Sequence, residues 1–203
     1  MEKERTDEME VAKEKDEIKD QKVKKKVIEV LEELETLKEN RKDLWNISWE
    51  TGEFLNFLTF LVKPKKILEI GMSNGFSTIW LSKDNLNSKV FTIEVRENII
   101  KEAINNFSKA KIENINILKG EALKILKNLK EKFDLIFIDA NKTQYIEYIK
   151  ILEKNECIKD NTLIIADNII SHKTTEPYLK YIQENYKTIV LNIGKGLSLS
   201  IKK

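Results

Sequence analysis

The chain has 203 residues, room for one ordinary domain with a modest extension and too few for two. Its 36 Lys+Arg and 34 Asp+Glu leave a net charge of only +2, a field of mixed sign that does not advertise tight nucleic-acid binding. No run of apolar residues is long enough to span a bilayer, and the charged start lacks the apolar stretch of a signal peptide. One cysteine, Cys157, allows no intrachain disulfide, and one histidine, His172, leaves no His/Cys cluster for zinc, so a reducing, cytoplasmic setting is expected.

Residues 1–43 carry about 27 charges and no Gly or Pro, marking a helical or partly disordered extension ahead of a domain over 44–203. The first twenty or so residues show no sustained apolar face, whereas Val23, Val27, Val30, Leu34 and Leu37 recur at spacings of four and three, one apolar helical stripe. Two heptads are too few for a coiled coil; the stripe suits a helix packed on its own domain, the expected arrangement, a dimerisation helix, or a lid.

From Trp45 short apolar runs alternate with amphipathic segments. A helix over 51–62 ends at Pro64, and strands are predicted at 66–70, 90–93, 115–118, 134–138, 163–166, 188–193 and 197–201. Helices are predicted at 78–82, 97–110, 121–130, 144–154 and 176–186. Ile/Leu/Val strands bridged by helices give a doubly wound, mostly parallel α/β sheet of seven strands. The last two are joined only by Gly194-Lys195-Gly196, too short for a crossover, so they form an antiparallel hairpin.

The first strand runs into Glu69-Ile-Gly71-Met-Ser73-Asn-Gly75 and then a helix, a turn where bare backbone lets a nucleotide-like ligand approach. Ser73 stands where a dinucleotide fingerprint has its second glycine, which disfavours NAD, and an acid before the first glycine suits an ammonium group better than phosphates. Glu94 closes the second strand, where a carboxylate accepts from both hydroxyls of a ribose.

ILEIGMSNGFSTIWLS followed by FTIE resembles the S-adenosylmethionine site of class I methyltransferases, and more narrowly of the catechol and caffeoyl-CoA O-methyltransferase family, over about 45–203. The resemblance implies that Glu69 and the Gly71, Ser73, Gly75 turn lie beside the methionine moiety with Phe76, where the family often has Tyr. It implies that Ser77 binds the cofactor carboxylate and Glu94 the ribose, and that Gly120-Glu121-Ala122, similar to the family's G-D-A, places Glu121 near the adenine amino group.

Asp139 closes the fourth strand and Asp167-Asn168 the fifth, and in an open parallel sheet such strand ends meet at one crevice. Two carboxylates and an amide are hard oxygen ligands suited to Mg²⁺ or a similar divalent cation, although either acid alone also suits a helix cap or an Asx turn. The family's metal-dependent members resemble the chain at Asp139, Asp167 and Asn168, and Asp139 also falls beside the cofactor. By the same resemblance Lys142, at the lysine of the D-x-x-K segment, is the general base for the acceptor hydroxyl. A free lysine titrates at about 10.4, so a cation must lie close to it.

The expected reaction is metal-assisted methyl transfer to a hydroxyl of a small catechol-like aromatic. The alternatives are a hydroxylated tRNA nucleoside, disfavoured by only three arginines, and a non-catalytic scaffold retaining the fold. The apolar stripe, with the state of several relatives, suggests a homodimer. Cys157, Trp45, Trp49 and Trp80 read as packing, and the lone His172 as an ordinary loop residue. Lys195 replaces the acid of the family's usual G-D-G hairpin, and the sequence offers no account of it.

Overall fold

Seven strands lie in the order β3-β2-β1-β4-β5-β7-β6, so the chain first builds outward from β1 (Lys66–Ile70) to β2 (Lys89–Glu94) and β3 (Ile115–Lys119). It then returns to place β4 (Phe133–Ile138) against the other side of β1, followed by β5 (Ile158–Ala166). These five strands are parallel, and β7 (Leu197–Lys202) runs antiparallel between β5 and β6 (Tyr186–Leu191). The order of strand addition reverses between β1 and β4, and there the loops leaving the strands diverge and open a crevice. The computed structural model describes residues 24–202. The expectation for the first twenty residues, and Val23 of the stripe, lie outside them.

Helices cover both faces. On one side α1 (24–40), α2 (Trp49–Val62), α3 (Phe76–Ser82) and α4 (Glu97–Ala110) pack on Ile67, Leu135, Phe137 and Ile165. On the other, α5 (Ala122–Asn128), α6 (Tyr145–Lys154) and α7 (Glu176–Asn185) pack on Leu68, Ile70, Ile136, Ile138 and Ile164. Successive strand residues serve opposite layers, which is why β1 and β4 read as unbroken apolar runs. Glu69 falls on the α1–α4 side by the same period of two.

The N-terminal stripe is spent inside the molecule. Val27, Val30, Leu31 and Leu34 are buried in the core beneath α1, while Leu37 is 47% exposed. Leu31 takes the place that spacing gave to Leu37, and the stripe that suggested a homodimer packs on its own domain. Lys109–Glu33 (2.8 Å) and Arg41–Glu102 (3.3 Å) ion pairs tie the α1 region to α4.

Several boundaries move: α2 starts at Trp49, β6 runs Tyr186–Leu191, and two further shifts have clear local causes. Strand β5 starts at Ile158, five residues before its apolar run, because the Phe133 amide pairs with the Cys157 carbonyl and Lys159 pairs with Asp134. Helix α3 starts two residues early, at Phe76, because Gly75 caps it in the left-handed region at φ 91°. Gly52, inside α2, leaves the space that the Trp80 indole fills: a Cβ there would lie 2.3 Å from the ring nitrogen. Cys157 is buried, as expected of core filling.

Candidate active site

The turn after β1 is built on positive φ at Gly71 (101°), Ser73 (49°) and Gly75 (91°). A side chain at Gly71 would put its Cβ 2.2 Å from the Asp139 carbonyl oxygen, so only glycine lets the β1 turn and the end of β4 touch. At Gly75 the same atom would lie 2.4 Å from the Phe107 ring. Phe76 is buried, 6.4 Å from Trp49 and from Trp80 between ring centres.

Glu69 is fully buried beneath this turn. Three hydroxyls donate to its carboxylate: Ser77 (2.6 Å), Thr78 (2.5 Å) and Thr92, its register partner on β2. Burial pushes its carboxyl up to about 7, the three hydroxyls pull it down, and the charge of Asp139 adds to the rise. The Ser77 hydroxyl is thus engaged with Glu69. Thr78 in α3 and Thr92 in β2 went unmarked, although for Thr92 a threonine in an Ile/Val strand was the available signal.

Glu94 closes β2 and is held in an amide nest. It accepts from the backbone amides of Ser73 (2.9 Å), Val95 (2.9 Å) and Arg96 (3.1 Å), and from the Arg96 guanidinium. Burial raises its carboxyl, but the Arg96 hydrogen bonds and charge outweigh that and hold it below the usual carboxylate range. Arg96 also donates to the Asp43 carbonyl (2.9 Å) and lies over the Trp45 ring at 5.3 Å. Trp45 is therefore no packing anchor: it is 70% exposed at the mouth of the site, whereas Trp80 is buried. Asn46, also unmarked by sequence, accepts from the Ser73 hydroxyl at 3.4 Å. Arg96, one of three arginines in a lysine-rich chain, was the legible clue.

Asp139, Lys142, Asp167 and Asn168 come together at the ends of β4 and β5. Asp139 Oδ1 accepts from Lys142 Nζ (2.9 Å) and from Asn168 Nδ2 (2.9 Å). The Asn168 amide also donates to Asp167 Oδ2 (3.0 Å), and its backbone amide to Asp167 Oδ1 (2.7 Å), with Asn168 at φ 67°. Burial first, then the facing Asp139, push the Asp167 carboxyl well above the ordinary range, against the pull of Lys142 and Lys195. Lys142 starts a single 3-10 turn, Lys142–Gln144, capped by Asn141. Beneath the pair lies Tyr145, wholly buried, its hydroxyl without a hydrogen-bond partner and its pKa raised by burial and by both aspartates.

Other expected positions are more peripheral. Gly120 (φ 138°) precedes α5, but the Glu121 side chain is exposed and pairs with Lys124 at 3.0 Å, with Ala122 opening the helix. His172 bonds Ser171 through Nδ1 (2.8 Å) on the surface. Among the described residues no three His, Cys, Asp or Glu side chains gather as a metal-binding group, and no helix is long and apolar enough to cross a membrane.

Against known proteins, the sequence profile of the O-methyltransferase family matches residues 17–200. A catechol O-methyltransferase of Niastella koreensis is 35% identical over 65% of the chain, and the match spans 64% of that relative's length. Caffeoyl-CoA O-methyltransferase 1 of Eucalyptus globulus is 32% identical over 82% of the chain and 74% of its own length. A Bacillus cereus O-methyltransferase solved with S-adenosylhomocysteine superposes with a TM-score of 0.75 at 25% identity, covering 88% of this chain and 91% of that one.

Proposed function

The chain belongs to the O-methyltransferase family, and from that premise we propose that it moves a methyl group from S-adenosylmethionine to a hydroxyl of a small catechol-like aromatic, assisted by a divalent cation. The observation that carries this reading is the cluster at the crevice, where one oxygen of Asp139 is shared by Lys142 and Asn168 within 2.9 Å and Asp167 faces it. The relatives named for catechol and caffeoyl-CoA support the acceptor class.

The chain's groups fit both ligands. For the cofactor, Gly71 and Gly75 draw the β1 turn tight against the end of β4 and the Phe107 ring, and Glu94 presents a carboxylate at the end of β2. Binding a ribose there requires Glu94 to exchange its guanidinium contacts for two hydroxyls while its three backbone amides stay in place. For the cation, the donors are all hard: Asp139, Asp167 and, after a half-turn of its amide, the Asn168 carbonyl oxygen. The Asn168 NH₂ group now bridges the two carboxylates, a neutral stand-in for positive charge between them.

The cofactor supplies an electrophilic methyl on a sulfonium, and the cation supplies charge that lowers the pKa of a hydroxyl. Lys142 Nζ, an ammonium while it pairs with Asp139, would first give up a proton to solvent as a cation takes over the carboxylates; as a neutral amine oriented by Asp139 it would then accept the acceptor's hydroxyl proton, and the methyl would pass from the cofactor's sulfur to that oxygen. The segments after β4 and β5, which carry these groups, would border the acceptor. The test is methyl-labelled S-adenosylmethionine with catechol, in Mg²⁺ and in EDTA, beside host-cell RNA and small molecules. Label in the diol that EDTA abolishes supports the reading; label in RNA alone replaces the acceptor, and full activity of Asp139→Ala or Lys142→Ala in EDTA sinks the mechanism.

A further inference from the structure

The Glu94 carboxylate has more donors than places for them. Its Oε1 accepts from the Val95 amide (2.9 Å), the Arg96 amide (3.1 Å) and Arg96 Nε (3.2 Å), and its Oε2 from the Ser73 amide (2.9 Å) and Arg96 Nη2 (3.3 Å). A carboxylate offers about four acceptor positions, so these donors leave none for an incoming hydroxyl. With only 7% of the Glu94 side chain exposed, a ligand reaches this carboxylate by removing a donor.

The three amides are fixed by the backbone of the β1 turn and of the start of α4, where the Ile100 amide bonds the Arg96 carbonyl at 3.0 Å. The guanidinium is less firmly held. Its two bonds to Glu94 are longer than the about 2.7–2.9 Å usual between charged partners. It also has partners elsewhere: Nη1 donates to the Asp43 carbonyl (2.9 Å), and the guanidinium carbon lies 5.3 Å from the Trp45 ring centre. An arginine that lets go of Glu94 therefore keeps a hydrogen bond and a cation–π contact. Asp43 is in turn paired with Arg41, which also pairs with Glu102 of α4, so the alternative seat is anchored.

We propose that Arg96 is an internal competitor for the cofactor: its guanidinium takes the acceptor positions of Glu94 that ribose hydroxyls need, and passes to Asp43 and Trp45 when they bind. The proposal rests on the S-adenosylmethionine reading above and deepens it. An arginine that merely oriented Glu94 would strengthen binding, whereas a competitor weakens it, so the sign of the effect separates the two roles. Substrate and product forms of the cofactor share the ribose, so the same contact favours release of the spent cofactor, a step that limits many enzymes.

The experiment is calorimetric titration of S-adenosylhomocysteine and of its 2′,3′-dideoxy analogue into the wild-type chain, Arg96→Met and Arg96→Gln, with thermal unfolding as the check on folding. Both variants keep the backbone amide on Glu94. The dissociation constant of the dideoxy analogue divided by that of the parent isolates the hydroxyls from any general loosening around Trp45. This ratio should rise about two- to fivefold in each variant, the scale of one partly exposed ion pair. A ratio above one that stays unchanged overturns the proposal, and so does a fall, which would make Arg96 an orienting partner of Glu94. A ratio of one in wild type and both variants overturns the assignment of Glu94 to the ribose, a result distinct from hydroxyl-dependent binding that Arg96 does not oppose.

Discussion

The two halves of the crevice are finished to different degrees. At the ends of β1 and β2 the carboxylates arrive fully furnished: Glu69 takes three hydroxyls, and Glu94 takes three backbone amides and a guanidinium. At the ends of β4 and β5, Asp139 and Asp167 share one side-chain amide and one ammonium, Asp167 adds one backbone amide, and the buried Tyr145 hydroxyl below has no partner. Buried polar groups are nearly always satisfied, so the carboxylates of the first half are preset by the chain, while the Asn46 side-chain NH₂ group and the Asn74 side-chain amide beside the β1 turn and the Tyr145 hydroxyl of the second half are left without partners. Affinity for the cofactor should therefore depend on backbone shape, and turnover on the acid pair.

The sharpest way to separate the halves is Lys142→Ala. Loss of a general base should lower methyl transfer by about 10²–10⁴-fold while S-adenosylhomocysteine affinity by calorimetry stays within about twofold. Gly71→Ala strikes where the halves touch. Its Cβ meets the Asp139 carbonyl and its φ of 101° disfavours any side chain, a cost of about 2–5 kcal/mol that should appear in thermal unfolding and in weakened cofactor binding together.

Glu69 sharpens the comparison through pH. Its folded carboxyl stands at about 7, above the ~4.3 of an unfolded glutamate, so between those values the folded chain keeps a proton that the unfolded chain has lost. Its contribution to stability is complete below the lower value, falls with rising pH by up to about 1.4 kcal/mol per unit, and levels off above 7. Denaturant titrations of wild type and Glu69→Gln across pH 4.5–8 should differ by this slope. The smallest effect belongs to Arg96→Ala: with three amides still on Glu94, cofactor affinity should change by less than about tenfold, and a larger loss would mean that the amides do not preset Glu94.

The legible parts of the molecule are those decided along the chain. Apolar runs ending in Gly71, Glu94, Asp139 and Asp167 announce strands whose carboxyl ends carry chemistry, and parallel topology alone makes those ends converge. The hairpin at 194–196 and the reading of α4 over 97–110 follow from local spacing in the same way. What stayed hidden depends on which strand lies next to which. Thr92 meets Glu69 only through the β1–β2 register, and Arg96 reaches the Asp43 carbonyl across more than fifty residues. The choice of Leu31 over Leu37 was equally hidden, since spacings of three and four describe several overlapping faces and the packing partner selects one. Tyr145 carried no sequence signal at all, because an aromatic at helical spacing reads as core, and only the proximity of two aspartates sets it apart.

Titrating Mn²⁺ into the chain with S-adenosylhomocysteine bound, and reading the free ion by electron paramagnetic resonance, asks whether Asp139, Asp167 and Asn168 hold a divalent ion. One saturable ion per chain is expected, bound at least about tenfold more weakly by Asp167→Asn. Equal affinity in the two proteins, or no saturable binding in the wild type, would contradict it.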